Sequence, residues 1–303
     1  MKSIIDCIGN TPLIELSKIY NGNGKLYAKL EYLNPSGSVK DRVALQTITD
    51  AYKNGVLKKG QLVVEMTSGN MGAGLALVCK QFGNPFVAVM SEGNSIERRK
   101  ILSALGAEIL LTEQVDGSYG MVTGKDIDYA ADVARKYAIK NNAFFVDQFR
   151  NPSSKKAHFN TTGPEIWDKL PNIDAFIASI GSGGTFVGTS QFLKSKNPNI
   201  KCIAVEPENT AIIKTGNVIS TKHIIQGTGY GSVPHFWNEN LVDTILTVND
   251  DEVFDMTKKL SEEQGMFVGF SAGANVCAAV KYLKQENSNL NVVTILCDTG
   301  FKY

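Results

Sequence analysis

Cysteine is scarce in this 303-residue chain, and its five copies stand far apart, without a CxxC pair or a cluster with histidine. This spacing argues against a disulfide scaffold or a zinc site, and it favours a reducing cytoplasm. Cys79, Cys202 and Cys297 lie in apolar runs, where a thiol most simply serves as a small buried hydrophobe. The three histidines also lack the spacing of metal ligands, so we expect no metal site.

Long hydrophobic runs and an excess of charge are missing as well. No stretch approaches the roughly 20 apolar residues that cross a bilayer, and the opening MKSIID is too short and too polar for an export signal. Lysine and arginine total 31 against 30 acidic residues, a net charge of +1. Such a balance gives no electrostatic reason to expect a nucleic acid or a membrane as partner. We therefore expect a cytoplasmic protein that acts on a small molecule.

Short apolar runs alternate with longer helical patterns over most of the chain. The expected strands include LVVEM (62–66), PFVAVM (85–90), AEILLT (107–112), AFFVDQ (143–148), AFIASI (175–180), KCIAVEP (201–207), MFVGF (266–270) and VVTILCD (292–298). Strands that are apolar throughout and alternate with helices predict parallel sheets covered on both faces. The expected fold class is therefore α/β.

The turn TSGN (Thr67 to Asn70) follows one expected strand and precedes a helix that begins near Met71. In open α/β sheets, ligands bind beyond the carboxyl ends of the strands. Hydroxyl, amide and glycine backbone groups at a helix N-terminus form a ready anion site. The same residue types are ordinary helix caps, so the pattern alone leaves both interpretations open.

The turn GSGGT (Gly181 to Thr185) joins the run AFIASI to the helical pattern FVGTSQFLK. Three glycines let the backbone approach a ligand closely, and the following helix offers free N–H groups. The pattern is typical of a phosphate-binding loop. It is not a Walker loop, which needs a following lysine, nor the GxGxxG dinucleotide motif, because Phe186 replaces the last glycine.

Two single residues add chemistry to these loops. Lys40, in NPSGSVKDR (34–42), stands on the first turn of a predicted helix, where the macrodipole disfavours a cation. Ser271, in FSAGAN (270–275), is by itself most simply a helix cap. A phosphate loop, together with a lysine that is not expected to act as a plain cation, suggests pyridoxal phosphate held as a Schiff base.

Nine segments share their order and spacing with one known family: IGNTPL (8–13), NPSGSVKDR (34–42), TSGN (67–70), SIERRKILSALGAEILLT (95–112), DQFRNP (147–152), GSGGTF (181–186), VEPE (205–208), IQGTGYG (225–231) and FSAGA (270–274). Together they resemble the cysteine synthase (O-acetylserine sulfhydrylase) family of pyridoxal-phosphate enzymes, which includes cystathionine β-synthase. The resemblance covers nearly the whole chain. It implies the fold-type II architecture, similar to the tryptophan synthase β chain.

The resemblance implies roles for the cofactor-binding residues. Lys40 would bond pyridoxal phosphate and later act as the catalytic base. Asn70 would bond the ring oxygen of the cofactor, and Ser271 its pyridine nitrogen. The cofactor phosphate would be held by Gly181, Ser182, Gly183, Gly184 and Thr185.

The resemblance also implies roles for the residues that meet the substrate. The carboxylate of an amino acid would be received by Thr67, Ser68, Gly69, Met71 and Gln148. Gly227 would lie near the substrate amine, and Tyr230 and Ser232 would line the same pocket. The implied smaller domain, with the substrate loop, is 36–147, and the larger cofactor-phosphate domain is 1–35 plus 148–303. Family members are usually homodimers, so a homodimer is expected.

The implied activity is β-replacement through an α-aminoacrylate, forming or consuming L-cysteine. The chain departs from the family at Met71, where threonine is usual, at Ser232, where phenylalanine is usual, and at Tyr230, where alanine is common. Plant β-cyanoalanine synthases, which use cysteine and release sulfide, carry a similar methionine. The alternative is therefore an enzyme that consumes L-cysteine and releases hydrogen sulfide, with water, a thiol or another nucleophile as acceptor. A tolerated packing change is the other interpretation of Met71.

Two interpretations come from other functional classes. A nicotinamide-dependent dehydrogenase is suggested by the glycine loop and by Glu206 at the end of a strand, but Phe186 argues against it. A binding protein without catalysis is disfavoured by the presence of Lys40.

Overall fold

The computed structural model describes residues 3–303. These residues form two compact units: one comprises the described residues up to Ile8 and Asn34–Ser153, and the other Gly9–Leu33 and Ser154–Tyr303. Each unit has its own sheet flanked by helices, so the predicted α/β fold class is confirmed. The substrate-loop and phosphate-loop roles assigned to the two domains stay predictions.

The strands are β1 (Leu13–Glu15), β2 (Lys25–Leu30), β3 (Val63–Met66), β4 (Phe86–Ser91), β5 (Glu108–Thr112), β6 (Phe144–Phe145), β7 (Ala175–Ser179), β8 (Lys201–Pro207), β9 (Thr244–Val248) and β10 (Asn291–Leu296). The helices are α1 (Lys40–Lys53), α2 (Asn70–Phe82), α3 (Ile96–Ala104), α4 (Gly124–Lys140), α5 (Ser153–Ala157), α6 (Gly163–Lys169), α7 (Gly184–Lys196), α8 (Ile212–Thr215), α9 (Asp250–Gln264) and α10 (Phe270–Glu286). A π-helical turn, His158–Thr162, connects α5 to α6.

The first unit is built on a parallel sheet in the order β5-β4-β3-β6. Alanines at intervals of four residues place one narrow face of α4 on this sheet, where Ala134 and Ala138 pack against Val64, Val87 and Val89. Every residue of β4 is buried. The continuous apolar runs in this part of the sequence are thus explained by burial on both faces of the sheet.

The second unit is built on a sheet in the order β1-β2-β10-β7-β8-β9, in which β1 is antiparallel to β2 and the other pairs are parallel. Successive residues of β7 enter different cores. Ala175 and Ile177 belong to the core that includes α9 and α10. Phe176 and Ala178 belong to the core that includes α6 and α7. Because side chains alternate along a strand, a strand covered on both faces must be apolar throughout.

Two expected strands differ in the structure. MFVGF makes only a single bridge, between Val268 and Thr299, because it has few residues between the end of α9 and the start of α10. AFFVDQ is reduced to the two residues of β6. Asn142, just before this run, and Asp147, near its end, have positive φ values of 48° and 52°, so the extended backbone stops on both sides of β6.

None of the helices in residues 3–303 combines the length and the apolar character that crossing a bilayer requires. All five cysteines are free thiols.

Candidate active site

The 67–71 loop (Thr67 to Met71) joins β3 to α2 in the first unit. Thr67 Oγ1 accepts hydrogen bonds from the backbone N–H groups of Gly72 at 3.0 Å and Gly69 at 3.4 Å. The threonine hydroxyl therefore closes the first turn of α2, as a cap does. Among residues 3–303 no backbone acceptor is found for the N–H of Met71, so this donor is available to a ligand. The side chain of Met71 is itself buried, with 3% exposure.

Gln148 lies against the end of β3, beside the 67–71 loop. Its side-chain amide donates to the carbonyl oxygen of Met66 at 3.1 Å, and its backbone N–H donates to Glu65 Oε1 at 3.5 Å. These bonds bring together residues that are more than eighty positions apart in the sequence. The structure thus places Gln148 next to the loop with which the sequence associated it.

Glu65, which sequence reasoning missed, is a buried acid in β3, two residues before the 67–71 loop begins. The side chain is 1% exposed, and its Oε2 atom has no hydrogen-bond partner among the described residues. Burial, with a smaller contribution from the charge of Asp147, raises the pKa of Glu65 to about 8, against the lowering effect of its hydrogen bonds with Gln148. The carboxyl group is therefore neutral at pH 7. An acid inside the apolar run LVVEM is the sequence signal for it.

Lys40 is the first residue of α1 and is half-buried. Its backbone N–H donates to Ser38 Oγ at 3.3 Å. The next residue, Asp41, fixes the preceding turn by accepting from the N–H of Ser36 at 2.6 Å. Helix α2 approaches this end of α1 closely, since a Cβ on Gly74 would lie 3.2 Å from the carbonyl oxygen of Lys40. Lys40 and the 67–71 loop therefore both lie where these two helices begin.

The glycine loop (Gly181 to Thr185) lies between β7 and α7 in the second unit. Among residues 3–303 no backbone acceptor is found for the N–H groups from Gly181 to Phe186. Gly183 has a φ of 86°, which favours glycine. A row of free N–H groups at a helix N-terminus is the donor set that a phosphate requires. The residues present therefore fit the phosphate of a cofactor.

Close packing explains two more glycines of this loop. A Cβ on Gly181 would lie 2.1 Å from the carbonyl oxygen of Gly227, and a Cβ on Gly184 would lie 2.2 Å from Ser154 Oγ. Side chains at these positions would push the loop away from its supports. The structure thereby brings Gly227 beside the glycine loop.

Thr185 is held by a buried histidine, another residue that sequence reasoning missed. Thr185 Oγ1 lies 3.1 Å from His158 Nε2, and His158 Nδ1 lies 2.9 Å from Thr162 Oγ1. His158 is fully buried in the π-helical turn, a feature that is frequent at functional sites. The contacts of His158 with Thr162 and Thr185 indicate a structural role, in which the histidine supports the glycine loop.

Ser271 lies in the first turn of α10 and is buried. The helix is capped by Gly269 without a side-chain bond, so the cap interpretation of Ser271 is wrong. Its hydroxyl instead donates to the carbonyl oxygen of Gln226 at 3.0 Å. Since Gln226 precedes Gly227, the structure gathers Ser271, Gly227 and the glycine loop in the second unit.

Tyr230 and Ser232 are exposed residues of the irregular segment that follows Gly227. The glycines at 227, 229 and 231 all have positive φ, of 84°, 60° and 74°. This alternation produces a winding backbone without regular structure. Tyr230 is 44% exposed. Ser232 is not brought against the glycine loop by any hydrogen bond found in the described residues.

Glu206 has a local structural role. Its carboxylate accepts from the backbone N–H groups of Ile213 and Lys214, each at 3.0 Å, and so anchors α8. Burial raises the pKa of Glu206. This arrangement does not support its use as a ribose-binding acid. In residues 3–303 no group of three or more His, Cys, Asp or Glu side chains is placed to hold a metal ion.

Comparisons with known proteins agree with these features. The family described as pyridoxal-phosphate dependent enzyme matches residues 4–298. A cysteine synthase from Staphylococcus aureus is 38% identical over 304 aligned positions, covering 99% of this chain and 94% of that protein. An O-acetylserine dependent cystathionine beta-synthase from Bacillus subtilis is 37% identical, covering 99% of this chain and 95% of that protein. The crystal structure of a hydrogen sulfide-producing enzyme from Fusobacterium nucleatum superposes with a TM-score of 0.90 at 38% identity, covering 100% of this chain and 98% of that one.

The chain therefore belongs to the pyridoxal-phosphate dependent enzymes, and within them to the cysteine synthase family of β-replacement enzymes. Its cofactor is pyridoxal phosphate. The predictions of family, fold class, cofactor and enzyme class are confirmed. The dehydrogenase and the binding protein without catalysis are excluded as alternatives.

Proposed function

We propose that this enzyme exchanges the β-substituent of a three-carbon amino acid, with L-cysteine as the product or the donor. The observation that carries the proposal is the glycine loop, whose free N–H groups and close-packed glycines suit a phosphate dianion. The residues assigned to the phosphate are Gly181, Ser182, Gly183, Gly184 and Thr185. His158 would keep the Thr185 hydroxyl in place for this task.

Lys40 is the proposed catalytic residue, and it would hold the cofactor through a covalent bond to Nζ. When bound, pyridoxal phosphate withdraws electrons from the substrate's Cα and so eases loss of its proton. Lys40, the first residue of α1, would take that proton on its Nζ atom and later return it. Asn70 would bond the ring oxygen, and Ser271 would meet the pyridine nitrogen.

The 67–71 loop is proposed to bind the substrate carboxylate. Hydroxyl groups, a glycine backbone and the free N–H of Met71 converge at the start of α2, where the helix dipole also favours an anion. The residues assigned to this task are Thr67, Ser68, Gly69, Met71 and Gln148. Because the Met71 side chain is buried, its contribution would come from the backbone. Gly227, Tyr230 and Ser232 are proposed to contact the rest of the substrate.

A second candidate is an L-cysteine-consuming enzyme that releases hydrogen sulfide, with water or a thiol as acceptor. With water, cysteine and H₂O give serine and H₂S, so the atoms balance without an oxidant. The likeness to the hydrogen sulfide-producing enzyme supports this candidate. So do the exposed positions of Tyr230 and Ser232, which present hydroxyl groups where apolar residues are usual in the family.

The synthase reaction and the sulfide-releasing reaction are distinguished by supplying the substrates of each in turn. Purified holoenzyme is incubated with O-acetylserine and sulfide, and separately with L-cysteine alone, and both cysteine and sulfide are measured. Rapid cysteine formation without sulfide release from cysteine supports the synthase direction, whereas sulfide and serine from cysteine alone support the second candidate. Lys40→Ala is the control and should abolish both activities and shift the visible absorption band. Full turnover by Lys40→Ala would refute the proposed role of Lys40.

We further propose that the enzyme is a homodimer of the cytoplasm. The resemblance to the cysteine synthase family supports the dimer. Five free thiols support a reducing compartment.

A further inference from the structure

Arg98 contacts the loop that is proposed for the substrate carboxylate. Its Nη1 atom donates a hydrogen bond of 3.1 Å to Ser68 Oγ, across 30 residues of sequence. Both residues belong to the first unit and are half-buried. The bond joins the first turn of α3 to the 67–71 loop.

This bond decides how the Ser68 hydroxyl can act. A guanidinium group only donates, so Ser68 Oγ is the acceptor and its own proton must point away from Arg98. No acceptor for that proton is found within residues 3–303. The hydroxyl is therefore oriented as a donor and polarised by the positive charge behind it. A donor of this kind suits a carboxylate.

Helix stability does not account for a cation at this position. Arg98 is the third residue of α3, where the helix dipole disfavours positive charge. The neighbouring Arg99 instead donates to the carbonyl oxygen of Glu92, and Lys100 is exposed. Among these three consecutive cations, it is Arg98 whose bond to the 67–71 loop is found in the described part of the chain.

We propose that Arg98 is a positioning residue for the substrate carboxylate. Through Ser68 it orients a hydroxyl donor, and it brings positive charge to the 67–71 loop, so that the enzyme prefers amino acids with a free α-carboxylate. This inference rests on the assignment of that loop in the proposed function.

The test compares L-alanine, which has no leaving group on Cβ, with L-alaninamide, in which a neutral amide replaces the carboxylate. Binding of each is titrated through the absorption band of the cofactor in the holoenzyme. Arg98→Ala should bind L-alanine about tenfold more weakly than the wild type does, because L-alanine carries the negatively charged carboxylate. Its affinity for L-alaninamide should equal that of the wild type, because the amide is neutral. Arg98→Lys, which keeps the charge, should recover most of the affinity.

Lys100→Ala is the matched control, since it removes one exposed charge from the same helix and should leave both affinities unchanged. Should Arg98→Ala fail to fold, Arg98→Gln tests the charge by itself, because its neutral amide can still donate to Ser68; this variant should also bind L-alanine more weakly and L-alaninamide unchanged. Equal weakening for both compounds, without rescue by Arg98→Lys, would indicate a purely structural role and overturn the proposal. Unchanged affinities in Arg98→Ala would overturn it too, while leaving the β-replacement function intact. If the wild type binds both compounds equally, the 67–71 loop does not recognise the carboxylate, and this inference fails with that assignment. The β-replacement reaction is tested separately, by the assay with O-acetylserine and sulfide or with L-cysteine alone.

Discussion

At the scale of single residues, the charge of the group that meets the pyridine nitrogen directs the chemistry. A carboxylate partner would keep that nitrogen protonated and make the ring a strong electron sink. Ser271, the proposed partner of that nitrogen, has a hydroxyl group and therefore carries no charge. Negative charge at Cα is then less stabilised, so proton removal should be closely coupled to loss of the β-substituent. This favours β-replacement over transamination.

Replacing Ser271 by aspartate should change that balance. We expect Ser271→Asp to lower the β-replacement rate at least about tenfold and to convert cofactor to pyridoxamine phosphate in the presence of a simple amino acid. Ser271→Ala is the control, because it removes the hydroxyl without adding charge and should form no pyridoxamine phosphate. Chromatography of the released cofactor measures the product. Abundant pyridoxamine phosphate from the wild type would contradict the argument.

Glu65 makes the stability of the first unit depend on pH. Its pKa is about 8 in the folded chain against an ordinary value of 4.5. Between these values the unfolded chain loses the proton while the folded chain keeps it, so the free energy of unfolding falls as pH rises from 4.5 to about 8. At about 1.36 kcal/mol per pKa unit, the upper limit of this loss is roughly 5 kcal/mol.

Glu65→Gln mimics the neutral acid and cannot ionise, so the free energy of unfolding of this variant should not fall in the way the wild-type value does as pH rises. We expect the variant and the wild type to have similar denaturant midpoints at pH 5, and the variant to be more stable by several kcal/mol at pH 8. Glu108→Gln, on the exposed edge strand β5, is the control and should follow the wild type. If the denaturant midpoints of the wild type and of Glu65→Gln change with pH in the same way, burial does not keep Glu65 protonated.

At the scale of elements, the glycine loop depends on its contact with the segment around Gly227. The methyl group of an alanine at position 181 would lie 2.1 Å from the Gly227 carbonyl oxygen. Because this oxygen belongs to the backbone, no side-chain rotation can relieve the clash. One substitution should therefore displace both the N–H groups of the loop and the Gln226 carbonyl that holds Ser271.

Gly181→Ala should thus weaken cofactor binding at least about tenfold and lower stability by about 1 to 3 kcal/mol, as overpacking does. Titration of the apoenzyme with pyridoxal phosphate and thermal unfolding measure the two effects. Gly124→Ala serves as the control, since nothing lies within 4 Å of its Cβ position at the start of α4. If Gly181→Ala binds the cofactor as tightly as Gly124→Ala does, the close contact is not needed for the phosphate site.

At the scale of the whole molecule, the proposed homodimer gives a simple expectation. Light scattering of the purified holoenzyme should give a mass near twice the 32.9 kDa of one chain. The mass should hold at high and at low protein concentration, because a family dimer of this kind is expected to be permanent. A mass of one chain under all conditions would refute the dimer.

The sequence alone determined the α/β class and the position of the glycine loop. Strands covered on both faces must be apolar throughout, as the alternating contacts of β7 confirm. Clustered glycines between a strand and a helix are typical of a loop that binds an anion. Both patterns lie within short stretches of sequence, so they can be recognised without knowledge of the tertiary packing. The short strand β9 was missed, and MFVGF was wrongly expected as a strand, because pairing depends on which neighbour is available.

Only the tertiary structure revealed the supports of the two loops. The bonds of Arg98 with Ser68, His158 with Thr185, and Glu65 with Gln148 join residues 30, 27 and 83 positions apart. An acid inside the apolar run LVVEM signals burial, but residue type and spacing show neither the raised pKa of Glu65 nor the bond that orients the Ser68 hydroxyl. Both arise when remote segments pack together and exclude water from the groups between them.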